Sequence, residues 1–454
     1  MAKRNAIAMK PRPKLAGLRL PRLEERTLPN GLQIIAARRG PIPLATIRLV
    51  IRGGSTADPE GKHGLMDFTA KLLRRGTRSL AAEEIDEAVE FVGASLGIGV
   101  GEDFMSLRVT APSEHMAAML EVLGKLVREP TFPEAEVESS RNRTLAQLAN
   151  DLDDPALLAD RAMSRALWGT HPYGHDVVGS TAHVRTFTRD DVVRQHREAV
   201  GPRVSMLIAV GELDPERLFA AAEQAFGSWT GGPEAPRVAP LMERAALHGK
   251  IVIVDKPDQT QTQVRLGALA FKRGHPDHVS SHVVNAALGG GFTSRLVEEV
   301  RVNRGLSYGV GSGFDTLMGG GSFQISTFTK TETTREIIDV SLGEVEKLRK
   351  KGLTSAELER IKTYLAGLYP LRTETNEAIA GGIGDIRLYG LPTDWIESFR
   401  EWIHAVTPKQ VTEVARRWFL PDGAAFSLVG RADAIAKQVK GLGPVEIWKP
   451  SDLE

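Results

Sequence analysis

The chain has 454 residues, 42% of them hydrophobic and 25% charged, proportions of a soluble globular protein with room for two to four domains. Its 58 basic and 57 acidic side chains leave a formal net charge of +1, so no global field selects nucleic acid or an anionic membrane surface. The lack of Cys excludes disulfides, thiol nucleophiles and thiolate metal sites together.

Residues 1–24 read as an unstructured arm. The start, MAKRNAIAMKPRPKLAGLRLP, is basic but has no apolar run long enough for a signal peptide, and no segment nears the ~20 apolar residues of a membrane span. A cytoplasmic protein is expected, or a periplasmic one if a leader has been removed. In LPNGLQIIAARRG, Asn30-Gly31 signals a hairpin before a strand, and residues 45–54 alternate as a second strand. Residues 64–75 predict a helix: Leu65, Phe68, Leu72 and Leu73 fall at i, i+3, i+7 and i+8 as one buried stripe, with Asp67, Ala70 and Lys71 opposite. An amphipathic helix near 81–93 and strands near 94–100 and 103–111 follow. A helix over 114–130 is stopped by Pro130, and another over 133–151 starts with acidic residues, where the helix dipole favours them.

The second half repeats the first. Residues 250–271 copy the strand opening, residues 336–368 copy 114–148, and Ala135-Glu136 corresponds to Ala356-Glu357, a period of 221 residues. Between the copies, residues 230–249 are rich in Pro and Gly and read as a linker. The expected fold is therefore α+β: two homologous domains, 25–229 and 250–445, each an antiparallel or mixed sheet covered by helices, with a tail at 446–454.

Residues 64–77, GLMDFTAKLLRRGT, have the frame of a zinc-peptidase helix with its donors replaced. Such a site needs two His one turn apart and a Glu beside them, because i and i+4 share one face and so one Zn²⁺. Lys71 would place an ammonium at a ligand position, where it repels the metal.

The ordered set LPNG, RGGSTADPEGKHGLMDF, RRGT, DDP, WGTHPYGHDVVGS and LGGGFTSRLVEEVRVNRGLSYGV resembles the pitrilysin/insulinase family of zinc peptidases. The likeness is to the short two-domain form seen in mitochondrial processing peptidase and bacterial heterodimers, and it spans about 25 to 445. Active members carry H-x-x-E-H before a Gly-Thr; anchored on Gly76-Thr77, its functional positions fall on Asp67, Ala70 and Lys71. Counted back from Asp153-Asp154-Pro155, the third ligand, a Glu in the family, falls on Gln147. The resemblance thus implies no cofactor in this chain and Zn²⁺ in a partner.

It also implies roles for residues that remain. Arg301 and Tyr308 match the family's pair that binds the substrate backbone and the developing oxyanion, with 295–304 helical, Gly305 a left-handed cap and Tyr308 opening the next strand. Gly289, Gly290 and Gly291 resemble the family's glycine segment and are expected to line or gate a peptide cavity. No Lys-Ser/Thr follows them, so they are not a phosphate loop. The implied protein is a zinc-less subunit, inactive alone, that pairs with a catalytic chain bearing H-x-x-E-H, encloses an extended peptide and binds no nucleic acid; isolated, it is free to form a homodimer.

Two other classes compete. One is a purely structural subunit, like the core proteins of respiratory cytochrome bc complexes. The other is a stand-alone metal-dependent hydrolase using His275, His278 and His282 of HPDHVSSH, the last two one helical turn apart near Asp277. Against it stands the plain expectation of a solvent-exposed helix there. His171 and His175 of HPYGH are expected to brace the domain.

Overall fold

The computed structural model describes residues 19–242, 249–420 and 423–454; most of the expected arm and part of the expected linker lie outside them. The first half runs β1 (Leu23–Thr27), β2 (Gln33–Arg38), β3 (Leu44–Arg52), α1 (Leu65–Leu72), α2 (Ala82–Glu90), β4 (Ser95–Val100), β5 (Phe104–Pro112), α3 (Met116–Arg128), α4 (Glu134–Asp151), α5 (Pro155–Trp168), α6 (Thr181–Val184), α7 (Arg189–Ala199), β6 (Ser205–Gly211) and α8 (Pro215–Phe226). The second runs β7 (Ile251–Asp255), β8 (Gln261–Ala270), α9 (His278–Leu288), β9 (Val310–Thr316), β10 (Gly321–Lys330), α10 (Thr334–Lys351), α11 (Ser355–Leu368), α12 (Asn376–Tyr389), α13 (Trp395–Ala405), α14 (Pro408–Trp418), β11 (Ala425–Gly430), α15 (Ala432–Gln438) and β12 (Val445–Trp448).

These strands form two six-stranded mixed sheets, ordered β1-β2-β6-β3-β5-β4 and β12-β7-β11-β8-β10-β9. The orders superimpose strand for strand except at one edge. There β1 lies antiparallel to β2, whereas β12, from the far end of the chain, lies parallel to β7. The fold is the duplicated α+β arrangement that the internal repeat predicts. The Asn30-Gly31 turn joins β1 to β2, with Gly31 at φ +94° and Asn30 Oδ1 accepting from Leu32 N at 3.1 Å.

Each sheet packs most of its own helices on one face, around two large apolar cores. The second face of each is covered by a helix from the other half. Ile379, Ala380 and Ile383 of α12 lie on Ile35, Val50, Met206, Ile208 and Val210 of the first sheet. Reciprocally, Leu158, Ala159 and Ala162 of α5 lie on Val252, Val254 and Val429 of the second. This explains the sequence of β6, SMLIAVG, and of β11, AFSLVG: strands buried on both faces lose their polar alternation and become continuous small and apolar runs. Polar ties reinforce the exchange. Arg265 Nε on β8 meets Asp160 Oδ1 on α5 at 2.6 Å, and Lys256 Nζ donates to Leu152 O at 3.0 Å. The segment expected as a linker is not simply solvated where it is described, since Ala239 packs with Trp168, Tyr173 and Leu317.

Candidate functional site

Helix α1 carries the motif positions and is held tightly at its start. Asp58 accepts from Gly64 N at 2.7 Å and Met66 N at 2.6 Å, satisfying amides that a helix N-terminus leaves open. Burial pushes the Asp58 carboxyl up to about 7 against these hydrogen bonds. Gly64 sits at φ +93°, and a Cβ there would lie 2.3 Å from Val178 O, so only glycine lets the backbone of the 170–180 loop come this close. The His63 ring stacks on His175 with centroids 3.7 Å apart, while Arg161 on α5 pairs with Asp176 and, at 2.7 Å, with Asp151 on α4. Tyr173 OH donates to Asp103, whose other oxygen accepts from Met318 N at 2.8 Å. The HPYGH loop therefore ties α1, α4 and α5 to one another and the first half to the second.

Asp67, Ala70 and Lys71 do not all lie on a solvated face. Ala70 is only 2% exposed, because α4 and β4 cover that side of α1 and turn it into the wall of a cleft. Asp67 and Lys71 pair with each other at 2.7 Å; burial raises the Asp67 carboxyl and the ammonium partly offsets the rise. Gln147, far away in sequence, reaches the same place. With Ala70, Lys71, Arg74, Arg75, Ser140, Arg143, Thr144, Leu96 and Ile98 it lines one cavity of about 370 Å³. The frame inferred from counting thus brings Ala70, Lys71 and Gln147 to one cavity, with Asp67 outside the lining and paired to Lys71, and a lone carboxylate beside these residues does not fit zinc. Ala70 has no donor, Gln147 is a neutral amide and Lys71 is a cation, where Zn²⁺ needs imidazole, carboxylate or thiolate. Among the described residues, no group of three or more His, Asp or Glu side chains is arranged to hold a metal.

Sequence reasoning missed the arginines and hydroxyls of this cavity. The signal was present, since Ala70 and Arg74, Lys71 and Arg75, Ser140 and Thr144, and Arg143 and Gln147 are each one helical turn apart and so share faces with the motif positions.

In the second half, α9 ends at Gly289. A Cβ there would lie 2.7 Å from Ser312 N, and Ser312 N donates to Gly289 O at 3.2 Å, so the glycine segment lets β9 approach. Gly290 and Gly291 crowd Asn285 and Ala286 instead, and neither has positive φ. Arg301 lies on the π-helical segment Val297–Asn303, Gly305 takes φ +62°, and Tyr308 precedes β9 by two residues rather than opening it. Arg301 lies over the Phe292 ring at 5.2 Å and Tyr308 packs edge-on against Phe328 at 4.6 Å. Tyr308 and Phe292 are each 76% exposed, so these contacts leave both rings on the surface.

The 275–282 histidines are not on a solvent-exposed helix. Trp395 and Phe399 of α13 close over them, and His278 and His282 line a cavity of about 410 Å³ with Arg273, Asp385 and Tyr369. They do not converge as a ligand set. His275 packs edge-on against Trp418 and accepts from Asp277 N, His278 packs against Trp395, and His282 against Phe399. Burial is the main cause that pushes His278 down to about 3 and His282 to about 4; Arg273 adds to both and Arg372 to His282.

Both histidines are held neutral in the fold, so between about pH 4 and 6.5 the unfolded chain binds more protons, and their contribution to stability falls as acid is added. Buried carboxyls such as Asp58 carry the opposite sign, so the readout is a difference between proteins. A His278→Gln, His282→Gln variant should gain stability relative to wild type as pH drops from 7 to 5 in thermal unfolding. A difference independent of pH would show that these rings ionise normally in the fold.

Comparisons with known proteins bear on this site. The model of the insulinase family, peptidase family M16, matches residues 34–181, and that of the peptidase M16 inactive domain matches residues 186–365. A protein of Mycobacterium tuberculosis named an uncharacterized zinc protease is 28% identical over 394 residues, 86% of this chain and 89% of its own length. A Helicobacter pylori protein named non-peptidase homolog YmxG is 24% identical over 86% of this chain and 89% of its own length. The crystal structure of a peptidase M16 inactive domain from Pseudomonas fluorescens is similar with a TM-score of 0.84 and 27% identity, covering 90% of this chain and 98% of that one.

Proposed function

The chain belongs to the insulinase (M16) family of peptidases, and on that premise we propose that it is the non-zinc-binding subunit of a two-chain zinc metallopeptidase. One observation carries this reading: Ala70, Lys71 and Gln147 meet in a single cavity, the family's frame preserved, with side chains unable to hold Zn²⁺. The family models and the name of the Helicobacter relative are in keeping with a non-catalytic chain.

In this reading a partner bearing H-x-x-E-H would supply the Zn²⁺ that polarises the scissile carbonyl and the Glu that activates water. This chain contributes what it has. Its edge strands β4 and β9 offer unpaired backbone groups to an extended peptide, which supplies affinity with little demand on sequence. Arg301 and Tyr308, exposed on the isolated chain, orient the substrate backbone and donate to the tetrahedral oxyanion once the two chains close around it. Gly289, Gly290 and Gly291 line the peptide cavity in this reading.

The test is to purify this chain and an H-x-x-E-H partner from the same source, measure bound zinc in each, and assay peptide cleavage singly and mixed. Cleavage is expected only in the mixture and should be abolished by chelator. Stoichiometric zinc and proteolysis in this chain alone would refute the reading, and a mixture no faster than the partner alone would favour a structural subunit.

A further inference from the structure

The geometry points to the cavity at the emptied motif as a carboxylate-binding subsite for a peptide added along β4, an inference that rests on the peptide-binding reading above. Four of its lining residues are cations, Lys71, Arg74, Arg75 and Arg143, and none is a carboxylate. Three have acidic partners outside the lining: Asp67 for Lys71 at 2.7 Å, Asp86 for Arg74, and Glu136 for Arg75 at a loose 3.9 Å. Among the described residues Arg143 has no acidic partner; its guanidinium donates to Ser140 Oγ at 3.0 Å. The Arg75 Nε is buried without a hydrogen-bond partner. The partly exposed Arg74–Asp86 and Arg75–Glu136 pairs contribute little, so a ligand carboxylate can displace one of them at small cost.

The remaining lining suits an anion as well. Ser140 and Thr144 present hydroxyls and Gln147 an amide, all neutral hydrogen-bond donors. Hydrogen bonds from guanidinium to carboxylate are about twice as strong as neutral ones. What was a metal position in active relatives has become its electrostatic opposite.

The ligand follows from the other wall. Leu96 and Ile98, two residues apart on β4, point into the cavity, and β4 is the outer strand of its sheet. A peptide pairing with β4 places alternate side chains on that same face. One of them therefore drops between α1 and α4, where four cations wait. An Asp or Glu side chain satisfies them, and so does a peptide's C-terminal carboxylate if the bound strand ends there.

Fluorescence anisotropy of the full chain with four labelled octapeptides separates these sources. The peptides alternate Val and Thr with a central Glu or Gln, each with a free or an amidated C-terminus. At low salt the Glu peptide should bind about tenfold or more tightly than its Gln twin, the ratio shrinking as salt is raised. If instead the free acid outbinds the amide whatever the central residue, the chain end is the ligand. In Arg143→Gln the ratio should fall towards one, and Arg143→Lys should keep part of it; Arg143 is exposed, so both variants should unfold at the wild-type temperature. Equal binding of all four peptides, or a ratio indifferent to Arg143 and Arg75 substitution, overturns the inference and leaves the peptide-binding reading standing. No binding by any of them overturns both.

Discussion

Residues 19–229 made alone are expected to aggregate rather than yield a folded monomer, although they hold a complete six-stranded sheet and its own helices. Without α12, the face made by Ile35, Ala37, Val50, Met206, Ile208 and Val210 meets water. Burying five large side chains of this kind is worth roughly 10 kcal/mol at about 1.5–3 kcal/mol each, comparable to the whole stability of a typical domain. Residues 249–454 alone face the same loss, since α5 covers Val252, Val254 and Val429. Separate expression, sedimentation and binding of a hydrophobic dye would show it, and co-expression of the two pieces should restore solubility. A monomeric 19–229 fragment that unfolds cooperatively would show that the exchanged helices are dispensable.

Tyr308→Phe should lower kcat of the proposed two-chain enzyme by about 10²–10³, the effect expected if the phenol is the proposed oxyanion donor, with KM little changed. The ring is 76% exposed and packs only edge-on to Phe328, so the lost hydroxyl should shift unfolding of the isolated chain by no more than about 0.5 kcal/mol. On the proposed role of Arg301 as a binder of the substrate backbone before and during reaction, Arg301→Ala should raise KM more than it lowers kcat. The separation matters because a merely structural tyrosine would move stability and leave turnover alone. If kcat of the Tyr308→Phe heterodimer matches wild type, the role assigned to the phenol is wrong, and a scaffold subunit becomes the better description.

How far the sequence could be read depended on whether the signal was local. The helices α1, α3 and α4 and the hairpin at Asn30-Gly31 were legible because their apolar spacing, caps and turn residues are written within a dozen residues. The central strands β6 and β11 were harder to see, since burial on both faces erases the alternation that marks a strand. The 275–282 histidines were misplaced for a related reason: the start of their helix looks polar, and Trp395, Phe399 and Trp418, more than a hundred residues later, take it out of solvent.

The candidate site divides the same way. The sequence by itself determined the duplicated α+β fold and which side chains stand at Asp67, Ala70, Lys71 and Gln147, none of them the residue the family frame calls for, because residue chemistry and spacing are properties of the chain. Tertiary structure alone decided that Arg74, Arg75 and Arg143 gather around those positions beside the edge strand β4, and that each half lends a helix to the other's sheet. Charge in a cleft and the cover of a sheet face are set by which distant segments pack together, and one strand order brings them there that no local pattern specifies.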